Sequence, residues 1–114
     1  MAQTPEKKVK DRITRCIKDN GGWECKPIMQ GMGQNGTPDI LACVQGWFFG
    51  IEAKAGKGKP TELQKAQLRK IRKAGGIALV VNEKNFEHFE ALCAGESIIH
   101  PSLTAMFDKG KQES

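Results

Sequence analysis

Two apolar runs, Ile40 to Val44 and Trp47 to Ile51, flank Gln45-Gly46, and no other feature of the sequence constrains its fold so tightly. Both runs are partly β-branched or aromatic, and a two-residue connection containing glycine predicts a tight β-hairpin. With that turn Val44 faces Trp47, and counting outward the pairing brings Asp39 directly opposite Glu52. A four-residue loop gives the same pairing.

Directly opposed residues of an antiparallel pair have β-carbons about 4.5 to 5.5 Å apart and point to one face. Two carboxylates are thereby forced together. Such neighbours repel unless one stays protonated or a cation lies between them. Lys54 shares the parity of Glu52 and projects on the same face, while the Ala53 side chain turns away and leaves its backbone carbonyl near the acids. Two carboxylates and a carbonyl make an oxygen-rich pocket suited to a hard divalent cation that keeps several waters, with magnesium the natural choice. Lys54 is then placed to orient or deprotonate a water, because an ammonium beside a cation gives up its proton more readily. The plainer alternative makes Glu52 and Lys54 solubilising charges of an edge strand and Asp39 a cap on the Thr37-Pro38 turn.

Around the hairpin the periodicities predict the order αβββαβα. Thr4-Pro5 reads as an N-cap and first helical residue, and Val9, Ile13, Cys16 and Ile17 form an apolar stripe that ends at Asn20-Gly21-Gly22. Glu6 extends that stripe by one turn. Trp23 to Met29 suggests a strand confined to an edge or bulge by Pro27, and Gly31 to Pro38 a loop. Thr61-Glu62-Leu63-Gln64 is a capping-box sequence opening a helix with Leu63, Ala66, Ile71 and Ala74 on its apolar side, closed by Gly75-Gly76. Ile77 to Val81 predicts a short buried strand. A last helix from about Asn85 to Ala94 turns Phe86, Phe89 and Leu92 or Cys93 inward, and the tail from Asp108 is expected to fray. Trp23, Trp47, Phe48 and Phe49 are expected in the core or in a dimer contact, and His88 and His100 on the surface.

The chain has 114 residues, room for one domain with its core over about residues 4–94. Its longest uncharged stretches, Pro27 to Pro38 and Ile40 to Ile51, are 12 residues, short of the roughly 20 a spanning helix needs. The N-terminal MAQTPEKKVKDR lacks an apolar h-region, and a cytoplasmic protein is expected. Cys16, Cys25, Cys43 and Cys93 include no C-x-x-C pair and read as reduced, small apolar residues. Net charge is +5, but Lys57 to Lys73 carries seven basic residues against Glu62 alone. That asymmetry points to a polyanion, the alternative being a solvated helix face. The Gly- and Lys-rich stretch is no P-loop, since no G-K-S or G-K-T follows Gly50 at the required spacing.

Pro38-Asp39 with Glu52-Ala53-Lys54 resembles the PD-(D/E)XK nuclease superfamily. The longer strings Gly36-Thr37-Pro38-Asp39-Ile40, Ile51-Glu52-Ala53-Lys54-Ala55 and Thr61-Glu62-Leu63-Gln64 narrow the resemblance to the virus-type replication-repair nuclease domain, VRR-NUC, over roughly Thr4 to Val81. The resemblance implies a restriction-endonuclease-like α/β fold with a mixed central sheet flanked by helices. It implies a Mg2+- or Mn2+-dependent phosphodiesterase in which Asp39, Glu52 and the Ala53 carbonyl hold the metal, Lys54 serves the attacking water and Gln64 sits beside them. Glu6 matches an acidic residue that members carry on the first helix, although the helix dipole explains a Glu there equally well. Gln64 likewise has a second role as partner of Thr61 in the capping box.

On this reading Lys57, Lys59, Lys65, Arg69, Arg72 and Lys73 grip DNA phosphates without reading bases. The expected function is a structure-specific endonuclease on branched DNA, such as a four-way junction, acting as a homodimer in a bacterial or phage-infected cell. The alternatives are a restriction-type or general repair endonuclease on the same fold, or a non-catalytic basic nucleic-acid-binding module.

Overall fold

A computed structural model describes residues 3–27, 36–95 and 103 of the chain. Its elements are α1 (Pro5–Asp19), β1 (Trp23–Cys25), β2 (Ile40–Val44), β3 (Trp47–Ala53), α2 (Glu62–Lys73), β4 (Ile77–Val81) and α3 (Phe86–Cys93). The strands form one mixed sheet in the order β1-β2-β3-β4, antiparallel from β1 to β3 and parallel between β3 and β4. Parallel neighbours need a crossover, and α2 supplies it.

The hairpin takes the expected register, from Val44 opposite Trp47 to Ile40 opposite Ile51. Gln45 and Gly46 have φ of 55° and 82°, the pair of positive angles that a type I′ turn requires. β3 continues two residues past Ile51 because β4 pairs with it to the end, Glu52 against Val80 and Ala53 against Val81.

Helix boundaries follow from their caps. Thr4 Oγ1 accepts from the Lys7 N–H at 3.1 Å, and α1 stops at Asn20. At α2 both halves of the capping box form, the Thr61 N–H donating to Gln64 Oε1 at 2.8 Å and the Gln64 N–H to Thr61 Oγ1 at 3.2 Å.

One face of the sheet, with Ile40, Ala42, Val44, Phe49, Ile51, Leu79 and Val81, buries the stripes of α1 and α3 in the main core. Phe49 meets Phe89 edge to face at 6.4 Å between centroids. The other face, with Ala78 and Val80, packs under Leu68 and Ile71 of α2. Gly50 allows this approach, since a β-carbon there would lie 2.5 Å from Ile71 Cδ1.

Several expectations are corrected. Trp23, Trp47 and Phe48 are 61%, 58% and 44% exposed, and only Phe49 of the four aromatics is buried. The cause is coverage: Trp23 and Phe48 both oppose Cys43, on the sheet face where α2 overlies β3 and β4, and among the described residues no helix packs over β1 and β2 there. Cys25 and Cys43 are exposed for the same reason, whereas Cys16 and Cys93 are buried. Leu63 is exposed, and the wholly buried residue of α2 is Leu68. His88 is half-buried. β1 occupies a sheet edge but ends at Cys25, and the rest of the expected strand from Ile28, the glycines at 31 and 33, His100 and the tail lie outside the described residues. No helix among the described residues is long and apolar enough to cross a membrane.

Gly36 leads into the Pro38-Asp39 segment with φ of 83°, and a β-carbon on it would lie 2.5 Å from the Leu63 carbonyl oxygen at the start of α2. Gly36→Ala is therefore expected to destabilise the protein by more than about 1 kcal/mol. Gly46→Ala, strained in φ but facing open space, should cost less. Urea midpoints at unchanged m-value measure both.

Candidate active site

The site grows from the carboxyl end of β3. Alternation puts Glu52 on the same face as Gly50, beside Val80 and on the side of the sheet that α2 covers, and leaves it 1% exposed. Asp39 precedes the first residue of β2, and its Oδ2 accepts the Ala53 N–H at 2.9 Å. This bond ties the acid to the neighbouring strand and brings its carboxyl alongside that of Glu52. The pairing inferred from the turn thus gathers both acids at one point.

Two ammonium groups bracket the pair. Lys54 Nζ lies 3.4 Å from Glu52 Oε2 and is largely buried, on the face that strand parity assigns to it. Lys10 Nζ, from α1, lies 3.6 Å from Asp39 Oδ1 and also 3.6 Å from Glu6 Oε2. Lys10 has no counterpart in the motif strings. The signal available for it was its spacing of four residues from Glu6, on the flank of the apolar stripe of α1.

Burial first, and then the adjacent Asp39 carboxylate, push the Glu52 carboxyl up to about 8, against the pull of Lys54. Its Oε1 is buried and, when both acids are ionised, accepts no hydrogen bond among the described residues. A proton shared between the two carboxyls is one way to relieve this, and a cation is the other. The donors are hard oxygens, one of them buried without a partner, so the residues fit a divalent cation such as Mg2+. Among the described residues no group of three His, Cys, Asp or Glu side chains is gathered for a metal. Magnesium tolerates that, because it commonly keeps several waters and takes one or two carboxylates.

The remaining expected residues sit at varying distances from this centre. Glu6 is joined to Asp39 through Lys10, whose Nζ stands 3.6 Å from a carboxylate oxygen of each. Gln64 stands at the start of α2 with its Oε1 committed to Thr61, the second of the two roles open to it. Ala53 touches the site through its N–H, which donates to Asp39. Lys57 and Lys59 are exposed on the loop before α2, and Gly56 of that loop donates to Glu83 Oε1 at 2.9 Å. Lys65, Arg69, Arg72 and Lys73 lie along α2 at helical spacing, with Lys65 3.0 Å from Glu62 Oε2.

A buried glutamate, a partly exposed aspartate and a lysine two residues after the glutamate thus lie together on a mixed sheet with helices on both faces. No family model matches the sequence, and no curated protein matches it. Among solved structures, one described as a VRR_NUC domain is similar to this chain with a TM-score of 0.61 and 25% identity. The match covers 76% of this chain and 99% of that one. The chain resembles a VRR_NUC domain in its fold as well as in its motifs.

Glu52 holds its proton more firmly folded than unfolded. Its contribution to stability is therefore fully present below its ordinary value of 4.5 and is lost as pH rises through about 8. In EDTA the protein is expected to melt higher at about pH 5 than at about pH 9, and Glu52→Gln should remove most of that slope. Thermal melts across this range measure it.

Proposed function

We propose that the chain is a metal-dependent endonuclease of the PD-(D/E)XK type that hydrolyses DNA phosphodiester bonds. The observation that carries this reading is the buried Glu52 oxygen that has no partner among the described residues, beside the Asp39 carboxylate and with Lys54 on the same face. Likeness to a VRR_NUC domain supports it. Asp39 and Glu52, with the Ala53 carbonyl as a further donor, would hold Mg2+ or Mn2+. When bound, such an ion activates a nucleophile and neutralises charge developing on the phosphate.

The chain's own residues do the remainder. Glu52 orients Lys54, whose Nζ steers the attacking water. The Ala53 N–H fixes Asp39 so that its carboxylate faces Glu52. Gln64 stands at the near end of α2, and Lys57, Lys59, Lys65, Arg69, Arg72 and Lys73 hold the backbone of the duplex through phosphate contacts. We assign branched DNA as the substrate in a bacterial or phage-infected cell. Resolving a junction takes two related cuts, and a two-fold pair of chains supplies both.

Purified protein is incubated with labelled linear, flap, splayed and four-way substrates in Mg2+, Mn2+ or EDTA, and the cuts are mapped. Cleavage of the four-way substrate that EDTA stops is expected. Asp39→Asn and Glu52→Gln should each lower the rate by at least about 100-fold and leave DNA binding nearly unchanged. Binding without cleavage by the wild type would instead make the chain a basic nucleic-acid-binding module. Replacing Lys65 and Arg69 by Ala should weaken binding and reduce the salt slope by about one for each phosphate that is no longer neutralised. Sedimentation velocity should give the mass of two chains.

A further inference from the structure

The four carboxylate oxygens of the acidic pair are not equivalent. Asp39 Oδ2 is held by the Ala53 N–H at 2.9 Å, and Glu52 Oε2 faces Lys54 Nζ at 3.4 Å. Glu52 Oε1 is buried and has no hydrogen bond among the described residues, and Asp39 Oδ1 is the oxygen of its carboxylate that the Ala53 N–H leaves open. Lys10 Nζ stands against Oδ1, at 3.6 Å.

That contact is an ion pair longer than the roughly 2.7 to 2.9 Å of a charge-assisted hydrogen bond, so the ammonium can withdraw without breaking one. It also has somewhere to go. Glu6 lies one turn earlier on the same helix, its Oε2 equally 3.6 Å from Lys10 Nζ, and its side chain is 42% exposed. Lys10 itself is about one-third exposed, which gives its head group room to move. One ammonium is thus shared between a carboxylate of the site and a carboxylate outside it. A divalent cation at Asp39 repels that ammonium, and the ammonium opposes the cation by the same amount.

We infer that Lys10 is a built-in counter-cation of Asp39 that competes with the divalent ion, and that Glu6, which shares this ammonium, eases that competition by drawing Lys10 away. The inference rests on the metal-dependent reading given above. Lys10 is on this account a positioning residue: it keeps the acidic pair together before the ion arrives and sets how tightly the ion is then held.

The test is calorimetric titration of Mn2+ into the wild type, Lys10→Met, Glu6→Gln and the double variant, each shown by thermal melting in EDTA to be folded. Lys10→Gln replaces Lys10→Met if the latter fails to fold. Lys10→Met should bind Mn2+ about ten-fold more tightly than the wild type, the factor that corresponds to about 1.4 kcal/mol. Glu6→Gln should bind several-fold more weakly, and that loss should vanish when Lys10 is already Met. Affinity unchanged or reduced in Lys10→Met overturns the role of Lys10, and an equal loss from Glu6→Gln in both backgrounds overturns that of Glu6. Either result leaves the metal-dependent reading standing if the wild type binds Mn2+. Absence of Mn2+ binding in both the wild type and Lys10→Met overturns the inference and that reading together.

Discussion

A single hydrogen-bond register fixes the geometry on which the rest depends. Because strand side chains alternate, a slip of one residue between β2 and β3 would send Glu52 to the opposite face and into the core under α1 and α3. The two-residue turn prevents this, since its positive φ angles at Gln45 and Gly46 set Val44 against Trp47. Parallel pairing with β4 then carries β3 straight as far as Ala53, so the register chosen at the turn is transmitted to the far end of the hairpin. The Ala53 N–H closes the geometry by holding Asp39.

The same fold buries an acid at a place where stability alone would choose an apolar residue. Gly50 lets α2 approach β3, and Glu52, two residues along on that face, is left with 1% exposure. A carboxylate removed from water is costly unless it is paired, and Lys54 compensates only one of its oxygens. The main core, which holds the stripes of α1 and α3, is on the other face and is free of this conflict. Strain in charge is therefore confined to one end of one face, the pattern expected where local stability has been given up for a site.

Local chemistry in the sequence was sufficient for the elements that local chemistry determines. Thr4-Pro5, the Thr61 capping box and Gln45-Gly46 each act over three or four residues, and the boundaries they predict are close to those observed. Burial was less legible because it depends on what lies overhead. Trp23 and Phe48 have the composition of core strands, yet their exposure is decided by how far α2 reaches across the sheet. Leu63 and Leu68 are similar in type, and the choice between them rests on the rotation of α2 over Ala78 and Val80. At the site, Asp39, Glu52 and Lys54 could be placed together from the hairpin alone. Lys10 could not, since α1 meets Asp39 through tertiary packing and its sequence signal, a lysine four after a glutamate, is common on exposed helices.

The position of α2 links the acidic pair to the basic surface. Gly36 lies against the backbone of Leu63 and Gln64, so the segment that delivers Asp39 and the first turn of α2 share one contact. From that turn Lys65, Arg69, Arg72 and Lys73 follow along the helix, while Leu68 and Ile71 anchor it over β3 and β4. Basic charge and acidic pair are thus joined through α2, held in place by apolar contacts that salt does not screen. An anionic backbone lying along α2 would gain its electrostatic attraction from the helix, and the repulsion from Asp39 and the buried Glu52 would fall on whichever phosphate came nearest β3. A cation between those acids would remove that repulsion, and the charge that makes Glu52 expensive to bury is the charge such an ion would neutralise.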